Sequence, residues 1–194
     1  MYLAEAWQDY EILDAGNGNK YERWGDVRLL RPDPQAIWPM AEPAAVDARY
    51  IRSATGGGHW EYGRTLPESW TVSYKGLQFI VRPTGFKHTG LFPEQAVNWD
   101  WMQKIVSRSK AKPFRVLNLF AYTGGATVAL AAAGAEVVHV DAAKGMVAWA
   151  KDNLAASGLG DKPVRFIVDD VMKFVQREQR RGREYEGILM DPPS

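Results

Sequence analysis

Asp141, Asp169, Asp170 and Asp191, together with the bend Tyr122-Thr123-Gly124-Gly125, carry most of the chemical content of this sequence. Asp141 ends the apolar run Glu136-Val137-Val138-His139-Val140-Asp141. Asp169 and Asp170 follow Val164-Arg165-Phe166-Ile167-Val168, and Asp191 follows Gly187-Ile188-Leu189-Met190. Each acid therefore stands where a short apolar run meets a loop. Carboxylates in such places accept hydrogen bonds from sugar hydroxyls and exocyclic amino groups. Glycines in a bend leave no Cβ between the backbone and a ligand.

Asp141, at the tip of the run that follows the glycine bend, is placed to hold a ribose by its hydroxyls. It is equally placed to cap the next helix, and the two roles are compatible, one oxygen serving each. Asp169 or Asp170 is placed to accept from an adenine amino group, with the Val171 amide beside the ring. Tyr122-Thr123-Gly124-Gly125-Ala126 is not the G-x-G-x-x-G of a pyrophosphate loop. An acid-rich edge also suits a cationic sulfonium better than a pyrophosphate.

In Asp191-Pro192-Pro193 the two prolines remove two backbone donors and stiffen the loop. Carbonyls and one carboxylate remain as acceptors. Acceptors alone fit the exocyclic amino group of an extruded base. As a plain strand-ending turn, Asp-Pro would carry no such meaning.

These groups need a scaffold that brings several strand tips to one edge, and the pattern from Arg115 onward predicts one. Residues 116–120 are apolar except Asn118, as in a strand buried on both faces of a parallel sheet. Residues 126–133 are mostly Ala, Val and Leu and read as a helix, with Gly134 at its stop. Its unpaired first amides and positive dipole end face whatever lies above the strand tip. Further helices are predicted over 142–156, with Val147, Ala150 and Leu154 buried, and over 171–181. Strand, helix, strand, helix, strand, helix, strand implies an α/β fold, a Rossmann-like parallel sheet of which four strands are present. Its acids would gather where the strand order reverses.

Residues 1–92 read as a β-rich N-terminal domain, with runs at 10–13, 27–30 and 77–81 and turn clusters at Gly16-Asn17-Gly18-Asn19 and Gly56-Gly57-Gly58. Seven of the eight tryptophans lie within the first 101 residues and are expected to fill the core of that domain. Residues 93–113 read as a connector helix and basic linker, with Pro93 at a first helical position and Val97, Trp101 and Ile105 as the helix's apolar stripe. Residues 114–194 complete the organisation as the N-terminal part of the nucleoside-binding domain. Within the linker, Lys104, Arg108, Lys110, Lys112 and Arg115 form a cationic run without an acid, either a solvated helix end or a phosphate contact.

Composition narrows the alternatives. The chain has no cysteine and three scattered histidines, so no disulfide, thiolate site or metal centre is expected. No apolar stretch reaches the roughly 20 residues of a membrane span, and Glu5 and Asp9 argue against a secretory signal, which makes the cytoplasm the expected compartment. With 24 basic and 23 acidic residues, nothing global points to nucleic acid.

The chain resembles the class I S-adenosylmethionine-dependent methyltransferases, and among them the ribosomal RNA large-subunit methyltransferase I group of cytosine-C5 methyltransferase-like enzymes. The resemblance rests on 118–125, Val140-Asp141, Asp169-Asp170-Val171, Asp191-Pro192-Pro193 and the upstream Phe86-Lys87-His88-Thr89-Gly90-Leu91-Phe92-Pro93-Glu94-Gln95. It covers about 77–194. It implies that Phe120, Ala121, Tyr122, Thr123, Gly124 and Gly125 line the methionine part of S-adenosyl-L-methionine. Asp141 with Ala142 beside it would hold the ribose, and Asp169, Asp170 and Val171 the adenine. Asp191, Pro192 and Pro193 would face the target base, and His88, Thr89, Gly90 and Phe92 would form a lid.

The implied substrate is a base in ribosomal RNA. The same features serve an RNA-binding or assembly module without catalysis, or, more remotely, a nucleotide-dependent oxidoreductase. The family's cytosine-C5 chemistry uses a cysteine that this chain lacks, so either the cysteine lies beyond Ser194 or the target is another atom. The complete family sheet has seven strands. The expectation is therefore a piece of a longer protein, with an open sheet edge prone to self-association.

Overall fold

The computed structural model describes residues 3–53 and 56–192. The chain divides into two units. One comprises Glu5–Lys75 and Ile80–Leu91; the other comprises 76–79, 92–194 and the N-terminal residues. The helix expected to stand as a connector is grouped with the second unit.

The first unit is built on a five-stranded sheet in the order β1-β2-β3-β4-β5, from β1 (Tyr10–Gly16), β2 (Asn19–Trp24), β3 (Val27–Pro32), β4 (Ala48–Arg52) and β5 (Gly58–Tyr62). Two of these strands, β1 and β3, contain the predicted runs 10–13 and 27–30 and extend beyond them. Asn17 and Gly18 turn β1 into β2 with φ of 50° and 73°, the left-handed pair that a two-residue hairpin requires. Inside the unit Arg31 donates to both oxygens of Glu22, at 2.6 and 2.8 Å, and to the Lys87 carbonyl at 3.0 Å. Tyr10 adds a third donor to Glu22 at 2.8 Å, so the buried carboxylate is fully engaged.

The tryptophans do not fill this unit's core as expected. Only Trp24 is wholly buried there, while Trp38 is 54% exposed and Trp60 and Trp70 are half-buried. The last two donate their indole N–H to the Thr84 and Trp24 carbonyls, at 2.8 and 2.9 Å. An indole with a polar edge is satisfied at a rim as well as in a core.

A two-stranded sheet pairs β6 (Trp70–Tyr74) with β7 (Leu77–Val81). A single 3-10 turn, Pro93–Gln95, leads into α1 (Ala96–Arg108), in agreement with the Pro93 start. Then follow β8 (Arg115–Leu119), α2 (Gly125–Ala132), β9 (Glu136–Asp141), α3 (Lys144–Ala156), β10 (Val164–Val168), α4 (Val171–Arg180) and β11 (Gly187–Met190). The sheet is parallel in the order β10-β9-β8-β11, so the order reverses between β8 and β11. In an open sheet of this kind ligands bind outside the carboxyl ends at that reversal.

Side chains alternate across the sheet with period two. Leu117, Leu119, Val138, Val140 and Ile167 pack with Val171 and Phe174 of α4. Asn118 and His139 point to the other face, where Thr127 of α2 meets both. β10 and β11 are the edge strands, and on β11 Ile188 is 65% and Met190 62% exposed. No helix among the described residues is long and apolar enough to cross a membrane.

On α1 the apolar stripe is not the expected one. Ala96, Trp99, Met102 and Val106 are buried, whereas Trp101 and Ile105 are exposed. The helix carries apolar residues on two stripes. Packing chose the one beside Gln103, whose side chain donates to the Ala129 carbonyl of α2 at 2.9 Å.

Candidate cofactor and base site

The four strand tips stand level. Leu119 pairs with Val140, Val168 with Asp141, and Met190 with Leu119. Phe120, Asp141, Val168 and Asp191 therefore stand level on one edge, with Asp169 one residue further along, neighbouring strands being about 4.8 Å apart. Asp141 and Asp169 are adjacent, the Asp169 N–H donating to the Asp141 carbonyl at 3.1 Å. Asp191 stands across β8 from them, on the far side of the reversal.

Between them runs the loop after β8. Phe120 and Tyr122 have φ of 53° and 51°, and Gly124 follows at 81°. Two bulky residues in the left-handed region cost on the order of 1–3 kcal/mol each, a strain that persists where the surroundings over-determine it. Here Asp141 does so. Its Oδ2 accepts the Tyr122 N–H at 2.9 Å and its Oδ1 the Ala143 N–H at 2.8 Å. The Ala121 N–H adds a bond to the Val140 carbonyl at 3.1 Å. Asp141 is thus not the N-cap of α3, because that helix starts two residues later than predicted, with Ala143 in the cap position. Its carboxylate ties the turn to β9 and still has lone pairs for a ligand. Ala142 is exposed beside it.

The N-terminus of α2 has no side-chain cap, so its first-turn amides keep their donors for a ligand. The α4 start differs: Asp170 is its N-cap, accepting from the Lys173 N–H at 2.9 Å, and Val171 is buried as its first residue. Asp169 is paired with Arg177, whose guanidinium holds the carboxyl below the usual range. Each of the two acids thus has one oxygen engaged, Asp169 by Arg177 and Asp170 by the Lys173 N–H. Asp191 and Pro192 are exposed; Pro193 lies outside the described residues. Phe92, 37% exposed, sets its ring 5.5 Å from that of Tyr122. His88, Thr89 and Gly90 belong to the other unit, where the Thr84 hydroxyl donates to the His88 carbonyl at 2.8 Å and Thr89 is buried.

Beneath the turn lies a buried polar layer that the motifs did not reveal. Asn118 donates to the Thr127 hydroxyl at 2.9 Å, and Thr127 Oγ1 and His139 Nδ1 share a further bond at 2.9 Å. Asn153 of α3 donates to the Thr123 carbonyl at 2.8 Å. All four side chains are at most 3% exposed. The available signal was a lone polar residue in each of two apolar strands, Asn118 and His139, which the register sets side by side.

Burial pushes the His139 imidazole down to about 4, with Asp141 pulling the other way. Its folded pKa is depressed below the unfolded value of about 6.5, so stability is present above pH 6.5 and is lost as pH falls through about 4. The loss amounts to at most about 3 kcal/mol. Urea unfolding at pH 7 and pH 4.5 checks this. His139→Gln should show a shallower pH dependence than the parent, and equal slopes would remove His139 as its source.

Residues 37–194 match the family described as S-adenosylmethionine-dependent methyltransferase. The ribosomal RNA large subunit methyltransferase K/L of Shewanella baltica (strain OS155 / ATCC BAA-1091) is 38% identical over 125 residues, 64% of this chain and 16% of its own length. That of Shewanella frigidimarina (strain NCIMB 400) is 38% identical over 120 residues, again 16% of its length. The crystal structure of a SAM-dependent methyltransferase from Agrobacterium tumefaciens superposes with a TM-score of 0.91 at 45% identity, covering 96% of this chain and 61% of that one. A putative SAM-dependent methyltransferase from Streptococcus mutans shares the fold, with a TM-score of 0.73 at 22% identity over 95% of this chain and 52% of its own.

Proposed function

Since the chain belongs to the S-adenosylmethionine-dependent methyltransferase family, we propose that it binds S-adenosyl-L-methionine at the β8–β9 edge and serves methyl transfer to a base of ribosomal RNA, in the cytoplasm. The observation that carries this reading is the strained turn at Phe120 and Tyr122, latched to Asp141 beside uncapped helix amides. The bound cofactor supplies a methyl group already activated as a sulfonium, so the protein's task is positioning.

In this proposal the residues from Phe120 to Gly125 and the first amides of α2 receive the methionine part, whose carboxylate suits a helix N-terminus. Asp141 accepts from the ribose hydroxyls, with Ala142 alongside. Asp170 accepts from the adenine amino group next to the Val171 amide, while Asp169 stays with Arg177. Asp191, Pro192 and Pro193 offer acceptors to the target base across β8. Phe92, stacked near Tyr122, covers the cofactor from the same unit. The RNA substrate is supported by the names of the curated relatives, of which this chain spans 16%. Self-association through the β11 edge, with Ile188 and Met190 exposed, belongs to the same reading.

Isothermal titration with S-adenosylhomocysteine tests the cofactor half: saturable one-site heat is expected, and a folded chain giving no heat would overturn it. Transfer of labelled methyl from S-adenosylmethionine is then compared across large-subunit ribosomal RNA, small-subunit ribosomal RNA and DNA. Incorporation confined to the large-subunit RNA is the expected result, and incorporation into DNA alone would overturn the substrate assignment.

A further inference from the structure

We propose that the outer face of α1 is a docking surface for single-stranded RNA, a reading that rests on the RNA substrate proposed above and says where that RNA is held. Val97, Trp101 and Ile105 recur at four-residue spacing and form one stripe on the helix. Trp101 is 58% and Ile105 41% exposed, beside Leu3 at 59%. With Phe114 they line an open hollow of about 750 Å³, within the range of sites that take a ligand of nucleotide size. A contiguous apolar patch with a polar rim marks an interaction site rather than chance exposure.

The rim identifies the partner. Lys104 and Arg108 border the hollow one helical turn apart, and Lys110 and Lys112 follow; the sequence from Trp101 to Arg115 contains no acid. Among the described residues, Asp100 is the one acidic residue lining the hollow. An indole face next to several cations is the combination that holds unpaired nucleotides: bases stack on the ring irrespective of sequence and the cations follow the phosphates. A second copy of the chain fits poorly, because a two-fold contact would set this cationic rim against itself. Duplex RNA fits poorly as well, since its bases are already stacked on one another.

The test is fluorescence anisotropy of the full chain with a short, unstructured, labelled RNA of mixed sequence, titrated at several salt concentrations. Trp101→Ala should weaken binding about tenfold, and Trp101→Phe should recover most of the loss. Lys104→Gln with Arg108→Gln should lower the slope of log affinity against log salt by about 1.4, at about 0.7 per phosphate contact in a single strand. Lys162→Gln, a cation away from this face, should alter neither.

Melting temperature and S-adenosylhomocysteine affinity should match the parent in every variant, because Trp101 is already largely in solvent. Parental RNA affinity and salt slope in both α1 variants would overturn the surface while leaving the RNA substrate standing. A parent that binds the cofactor but no RNA would remove the RNA substrate and the surface with it. A dimer in light scattering that Trp101→Ala converts to monomer would assign the face to self-association and overturn the proposal.

Discussion

Asp141→Ala should weaken S-adenosylhomocysteine binding by at least about a hundredfold and destabilise the fold by about 2–3 kcal/mol. The structural half follows from the two backbone N–H groups that the carboxylate accepts, Tyr122 at 2.9 Å and Ala143 at 2.8 Å. Hydrogen bonds to a charged acceptor contribute about 1.5–3 kcal/mol. Ala143 is exposed and recovers a water, whereas Tyr122 is partly buried and does not regain its loss in full. Without the latch, the left-handed conformations of Phe120 and Tyr122 have less to hold them, and the turn relaxes away from the shape a ligand needs.

The binding half adds the lost acceptor for a sugar hydroxyl to this loss of preorganisation. Asp141→Asn separates the two, because an amide offers one acceptor atom to two N–H donors and keeps only one bond. It should therefore fall between parent and Asp141→Ala in melting temperature and in calorimetric affinity. A full-affinity Asp141→Ala protein would remove Asp141 from the ribose role.

Gly124→Ala should cost about 2–5 kcal/mol, which lowers the melting temperature by roughly 5–15 °C for a chain of this size. Two effects add. At φ +81° a residue with a Cβ pays about 1–2 kcal/mol for the left-handed conformation. The new Cβ would also stand 2.8 Å from Ala150 Cβ and 3.3 Å from its Cα, atoms fixed to the α3 backbone that have no rotamer by which to move aside. Overpacking of that kind typically costs about 1–3 kcal/mol. Gly134→Ala provides the control, since Gly134 has φ of +88° but nothing within 4 Å of a Cβ. It should show the conformational penalty alone. If the two variants melt together, the close approach of α3 to the turn has no energetic weight.

Much of the α/β unit was legible from residue order because its signals are local. Strands β9, β10 and β11 fall on the predicted runs, since each is a short, mostly apolar run that ends at an acid and a loop, whatever its final burial. By its apolarity Phe120 belongs to the first strand, but the backbone has already turned left-handed there. Hydropathy reports burial and carries no sign of φ. On α1 two stripes were available and the sequence favoured Val97, Trp101 and Ile105. Which of them is covered depends on α2, whose distance in sequence hides it from any helical-period argument.

The order of types along the chain was sufficient to place a glycine bend and a series of acids at strand ends, because strand, turn and helix preferences act over a few residues. Only the folded sheet decided which acids are neighbours: β11 joins on the far side of β8, so Asp191 is parted from Asp141 and Asp169. Asn118, Thr127, His139 and Asn153 meet beneath the turn for the same reason. They come from four different elements, and the hydrogen bonds that pair buried polar groups form only once those elements pack.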